Sequence, residues 1–189
     1  MIKQKILVAV TGASAMIYLQ SFLQMLAGEE VTVHGICSDA GMQVLQIENN
    51  TRIADLKTVS KWFACNDFTA PPASGSSVYD AMIVLPCSMG TLAAIANGIS
   101  ANLIHRSADV MLKEKKKLIL VIRETPLNRT HLQNMLKMHD AGAVICPPHP
   151  GFYLQPKTLK EAATTFSWRL ADQIGLEIKD RKRWGSKDV

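Results

Sequence analysis

The chain has 189 residues, of which 48% are hydrophobic and 20% charged, with a formal net charge of +5 and a pI near 9.1. Such a length builds one ordinary domain with a full core, and the composition excludes disordered, collagen-like and disulfide-framework classes. The positive balance favours an anionic partner. No aromatics interleave with the basic clusters at Lys113, Lys115, Lys116 and Lys117 and at Lys179, Arg181, Lys182 and Arg183. They do not form an RNA-binding motif, and by themselves they read as a solvated helix end and a loose tail.

Lys3 and Lys5 precede a continuous apolar run, Ile6 to Val10. The run fits a central parallel strand covered on both faces, and is too short for a signal-peptide core or a membrane span. Thr11-Gly12-Ala13-Ser14 follows, then a helix through Leu26. Val31 to Ile36 reads as a second strand and Ala40 to Gln46 as a helix. The stretch Thr69 to Ser77 is rich in turn residues. Ala81 to Leu85 is a third strand, a helix starts near Gly90, and another covers Ala101 to Glu114. Leu118 to Ile122 is a fourth strand. Asn128 to Ala141 is helical, with Leu132, Met135, Leu136 and His139 on one face. Ala143 to Cys146 is a short strand, and Pro147-Pro148-His149-Pro150-Gly151 is a second irregular loop. The last helix starts at Thr158, where Glu161 completes a capping-box pattern. Strand and helix alternate, so the fold is a single-domain α/β, Rossmann-like doubly wound parallel sheet. The domain covers residues 1–176. Residues 177–189 form a polar tail that either reaches over a neighbour or stays mobile.

Cys37, Cys65, Cys87 and Cys146 are far apart, with no zinc spacing, and three of them read as small buried hydrophobes in a reducing cytoplasm. None of the five histidines sits in a metal spacing, so no metal site is expected.

Four constellations carry chemistry. Thr11 to Ser14 places small residues at a helix start, where an anion is favoured; the plain alternative is a tight turn with Ser14 as N-cap. Pro86-Cys87-Ser88-Met89-Gly90-Thr91 repeats the same logic after the third strand, again with simple capping as the alternative. Two such turns hold one phosphorylated ligand at the topological switch point. Cys87 has no adjacent base and reads as a structural thiol. Arg106 and Lys113 lie two turns apart on one helix face, and Arg169 sits at the margin of the last helix's stripe of Leu159, Ala162 and Phe166. Each could pair with a local carboxylate or with a ligand anion. Tyr153 offers a hydroxyl or simple packing. Arg123-Glu124-Thr125-Pro126 puts opposite charges at the end of a buried strand, which Pro126 terminates. Glu124 and Glu48 could each orient or move a proton.

These blocks, with Ala73 to Ser76, Arg106 to Glu114, Gly142 to Ile145 and Pro150 to Tyr153, resemble the UbiX-type flavin prenyltransferases of the flavin-binding cysteine-decarboxylase-like superfamily. The resemblance covers nearly the whole chain. It implies FMN, used in reduced form as acceptor, and a metal-independent transfer of a dimethylallyl group from dimethylallyl monophosphate to N5 and C6 of the flavin. The prenylated FMN serves UbiD-type decarboxylases in ubiquinone synthesis or aromatic-acid breakdown. A cytoplasmic homo-oligomer, a dodecamer, is implied, with no nucleic acid and no membrane span. Gly12, Ala13, Ser14, Ser38, Ser88, Met89, Gly90, Thr91 and Arg123 would hold FMN. Arg106, Lys113, Tyr153 and Arg169 would grip the allylic phosphate, partly from neighbouring subunits. Glu48, Glu124 and Ser14 would be catalytic, and Phe68 would be an aromatic wall for the allyl cation. Ala15 stands where many relatives carry glycine. The rivals are a cysteine decarboxylase, whose histidine and PxMN-type motif are absent here, a flavin carrier without catalysis, and a direct decarboxylase of aromatic acids.

Overall fold

The computed structural model describes residues 4–179 and 181–185. The order is β1 (Gln4–Val10), α1 (Met16–Leu26), β2 (Val31–Cys37), α2 (Asp39–Asn49), β3 (Val59–Phe63), β4 (Ala81–Cys87), α3 (Met89–Ala96), α4 (Leu103–Lys113), β5 (Lys117–Ile122), α5 (Arg129–Asp140), β6 (Val144–Ile145) and α6 (Leu159–Gln173). Every strand pair is parallel, in the order β3-β2-β1-β4-β5-β6. The order reverses between β1 and β4, which is where a doubly wound sheet opens a crevice at the strands' carboxyl ends.

Alternate residues of the apolar strands feed two cores. Ile6, Val8, Val10, Ile83 and Leu85 pack with Leu19 and Phe22 of α1, Leu45 of α2, and Phe166 and Leu170 of α6. Leu7, Ala9, Met82 and Val84 pack with Leu92 of α3, Ile104 and Met111 of α4, and Met138 of α5. The α1–α6 contact is close because small side chains meet there. Ser167 is fully buried and its hydroxyl donates to Ser21 Oγ at 3.0 Å, while Tyr18 meets Phe166 edge-on at 5.2 Å.

Several expectations need correction. β3 has no continuous apolar run: it is an edge strand with Ser60 and Lys61 exposed, so its sequence gave no alternation to read. β4 runs through Pro86 to Cys87, because its ladder with β5 shifts register between Val84 and Cys87 and tolerates the missing N–H. The apolar stripe of α5 faces outward. Leu132 and Leu136 are exposed, and Asn134 and Met138 are the buried positions. On α6 the buried face is Ala163, Phe166, Ser167 and Leu170, and Leu159 is exposed. Residues 181–184 are held by contacts within the chain. They return to α6, where Arg181 and Arg183 both donate to Asp172.

Candidate active site at the strand switch point

Thr11, at the end of β1, ties the two central turns together. Its hydroxyl donates to the Pro86 carbonyl at 2.8 Å and accepts from the Ser88 N–H at 2.9 Å. Because the side chain is buried, these bonds fix the mouth of the crevice. Gly12 then passes over the start of α2: a Cβ there would lie 2.5 Å from the Ala40 Cβ, so only glycine permits the approach. Ser38 caps α2 by accepting from the Gly41 N–H, and Ser88 caps α3 by accepting from the Thr91 N–H and bonding the Thr91 hydroxyl. Gly90 leaves open space in the first turn of α3. The capping alternative read for the Ser88 turn is therefore realised, Ser38 adds a second cap, and both helix ends still lie where an anion is stabilised.

At α1 the expectation fails in one detail. The N-cap is Ala15, not Ser14, and Ala15 lies in the left-handed region at φ 95° with no side-chain cap. The cap comes from across the fold. The Glu48 carboxylate, in the last turn of α2, accepts from the Ala15 N–H at 3.0 Å and the Met16 N–H at 2.8 Å, and also from the Ser14 hydroxyl. Burial pushes the Glu48 carboxyl up, but the Ser14 hydroxyl, the two backbone N–H groups and the Arg123 charge outweigh it and hold its pKa below the usual value. Ser14, Glu48 and Arg123 thus form one polar cluster.

Ser14 and Ala15 line a cavity of about 420 Å³ together with Tyr18, Arg123, Glu124 and His149. That size suits a small organic ligand. The Glu124 carboxylate accepts from the Thr125 N–H at 2.9 Å. A second cavity, of about 480 Å³, is lined by Tyr153, Arg169, Asp172, Lys182, Arg183 and Trp184. His149 belongs to both walls. The phosphate-binding candidates therefore divide. Tyr153 and Arg169 share the second cavity, whereas Arg106 and Lys113 sit elsewhere in the chain. Arg106 donates to the Ala73 carbonyl at 3.0 Å and pairs with Asp109 at 2.7 Å, bracing the turn at 71–73. Lys113 pairs with Glu114 at the far end of α4, just before β5 begins, and so at the amino ends of the strands, opposite the crevice. Arg169, placed by the sequence at the margin of the apolar stripe, is mostly exposed and lies 3.6 Å from Asp172.

Phe68 lines neither cavity, and the aromatic rings beside Arg169 are Tyr153, Trp168 and Trp184. Trp184 meets Tyr153 edge-on at 5.2 Å. Thr11, Tyr18, His149 and Trp184 were missed as site residues. His149 had a signal in its proline-rich loop after a strand, but Trp184 had none, since only the folded chain brings it to Tyr153. The Cys87 thiol is fully buried and burial pushes its pKa up to about 12, so it is structural as expected. Among the described residues no three His, Cys, Asp or Glu side chains converge into a metal-binding group, and no helix is long and apolar enough to cross a membrane.

The Flavoprotein family model matches residues 1–164. A flavin prenyltransferase UbiX of Methanocaldococcus jannaschii is 42% identical, over 96% of this chain and 99% of its own. This chain belongs to the flavin prenyltransferases. A UbiX solved in complex with FMN and dimethylallyl pyrophosphate superposes with a TM-score of 0.93 at 39% identity, covering 96% of this chain and 97% of its own. A dodecameric FMN-dependent UbiX-like decarboxylase from Escherichia coli O157:H7 superposes with a TM-score of 0.92 at 37% identity, covering 96% and 99%. The family is that of a transferase, which sets aside the carrier and cysteine-decarboxylase readings.

Proposed function

We propose that the chain transfers a dimethylallyl group from dimethylallyl monophosphate to N5 and then C6 of reduced FMN, with the first cavity taking the flavin ring and the second the allylic phosphate. One observation carries the reading: a cavity at the carboxyl ends of β1, β5 and β6, holding Ser14, Arg123 and Glu124, shares the wall of His149 with an arginine- and tyrosine-lined cavity. Reduced FMN supplies the nucleophile.

The residues present fit that group. Gly12, Ala13, Ser38, Ser88, Met89, Gly90 and Thr91 surround the starts of α2 and α3 that favour its phosphate, the α1 start being already filled by Glu48, and Arg123 adds a cation at the strand ends. Ser14 and Glu48 form a fixed polar pair at the ring, able to hold or move a proton, and Glu124 offers a second carboxylate at the rim. Tyr153 and Arg169 stabilise the leaving phosphate, whose charge grows as the allylic C–O bond breaks, so they favour the transition state over the ground state. The developing allyl cation is stabilised by an aromatic face.

Arg106 and Lys113 join this phosphate site only from a neighbouring copy. The outward stripe of Leu132 and Leu136 supports a homo-oligomer, in keeping with the dodecameric relative. On this reading residues 1–176 are the catalytic domain, the enzyme works in the cytoplasm, and the product goes to a UbiD-type decarboxylase. The test is to mix purified protein, reduced FMN and dimethylallyl monophosphate and to weigh the flavin. A gain of one dimethylallyl unit is expected, and an unchanged flavin mass overturns the reading.

A further inference from the structure

Asp172, on the last turn of α6, gathers three guanidinium groups. Arg181 is the most buried of them and also donates to the Leu176 carbonyl at 3.1 Å. Arg183 stands at 2.9 Å, and Arg169 is the loosest at 3.6 Å. The Asp172 carboxylate is itself largely buried, so its charge needs partners. One carboxylate facing three arginines leaves an excess of positive charge beside the second cavity, and Lys182 adds to it.

We propose that Asp172 is a positioning residue that docks residues 181–185 as a strap over the second cavity and leaves Arg169 available to the substrate's phosphate. This rests on the reading of that cavity as the phosphate site. The geometry gives the arginines different work. Arg181 and Arg183 are held closely to Asp172 and anchor the strap. Arg169 is held loosely and mostly exposed, so it turns to an entering anion at little cost. With the strap docked, Lys182, Arg183 and Trp184 complete the cavity wall, and Trp184 rests on Tyr153. The cavity's positive potential and its exclusion of water therefore depend on a carboxylate that need not touch the substrate.

Four variants test this: D172N, D172E, a chain ending at residue 180, and D172N in that shortened chain. D172N and the shortened chain each raise KM for dimethylallyl monophosphate about tenfold, the size of one lost charge-assisted hydrogen bond. kcat stays within about twofold, and FMN affinity does not change, because the first cavity is untouched. D172E recovers most of the loss. In the shortened chain D172N adds nothing. An unchanged KM in D172N, or a D172N penalty that persists in the shortened chain, overturns the proposal.

Trypsin cleavage after Arg181, Lys182 and Arg183, followed by intact mass, tests the strap without turnover. Faster tail cleavage in D172N than in the wild type supports docking through Asp172, and equal cleavage overturns it. Should the wild type produce no prenylated flavin, the parent reading fails and the cleavage result still decides on the strap.

Discussion

The Glu48 carboxylate caps a helix that is not its own, accepting from the Met16 N–H at 2.8 Å and so joining the last turn of α2 to the first turn of α1. A residue expected to manage protons therefore also holds the site together. Replacing it with glutamine keeps an acceptor but removes the charge that the α1 N-terminus favours. Glu48→Gln should cost about 1 kcal/mol at neutral pH, the size of a lost cap. The folded carboxyl titrates below its ordinary value of 4.5, so its contribution is present above that value and fades as pH falls through the folded pKa. Urea melts of both proteins should differ at pH 7 and converge in acid. A gap that widens in acid would refute the assignment.

Ala15 occupies a left-handed conformation that costs an L-residue about 1–2 kcal/mol. Ala15→Gly relieves this and gives back part of the gain through the freer unfolded chain. We expect a net stabilisation of about 0.5–1 kcal/mol, read as a rise of a few degrees in Tm. A fall in Tm would show that the methyl group contributes packing that outweighs the strain.

Thr11→Val preserves shape but removes the donor to Pro86 and the acceptor for Ser88. The Pro86 carbonyl keeps the backbone N–H of residue 11 at 3.3 Å, so the loss falls mainly on the half-buried Ser88 N–H and costs about 1 kcal/mol. Because the lost bonds cross the switch point, FMN affinity should weaken as well. Calorimetric titration with FMN at a temperature where the variant is fully folded separates the two effects. Native affinity would mean that the crevice holds its shape without the hydroxyl.

The Cys87 thiol should resist alkylation in the folded protein at pH 8, since burial holds it protonated and out of reach. Cys87→Ala should keep transfer activity and lose about 1–2 kcal/mol of stability through the small cavity it leaves. Activity lost at full folding would restore the thiol to the chemistry.

The elements legible in the sequence were those whose burial is complete on both faces. Ile6 to Val10 and Leu118 to Ile122 announce themselves because no position in them meets water. The edge strand around Ser60 and Lys61 was illegible because half its surroundings are solvent. The stripe of Leu132 and Leu136 misled because helical periodicity marks an apolar face without saying that the chain's own core covers it. In the site, Ser14, Arg123 and Glu124 were found by their places at strand ends, and the structure gathers them. The Asp172 hub could not be read, because its arginines follow it in a segment with no periodicity, and only the return of the chain brings them back.

His149 has one further consequence. A single imidazole serves as a partition between two chambers, so whatever enters first alters the room left next door. On the proposed reading of the two cavities, a ring seated on one side would reshape the berth on the other, which ties the two binding steps together.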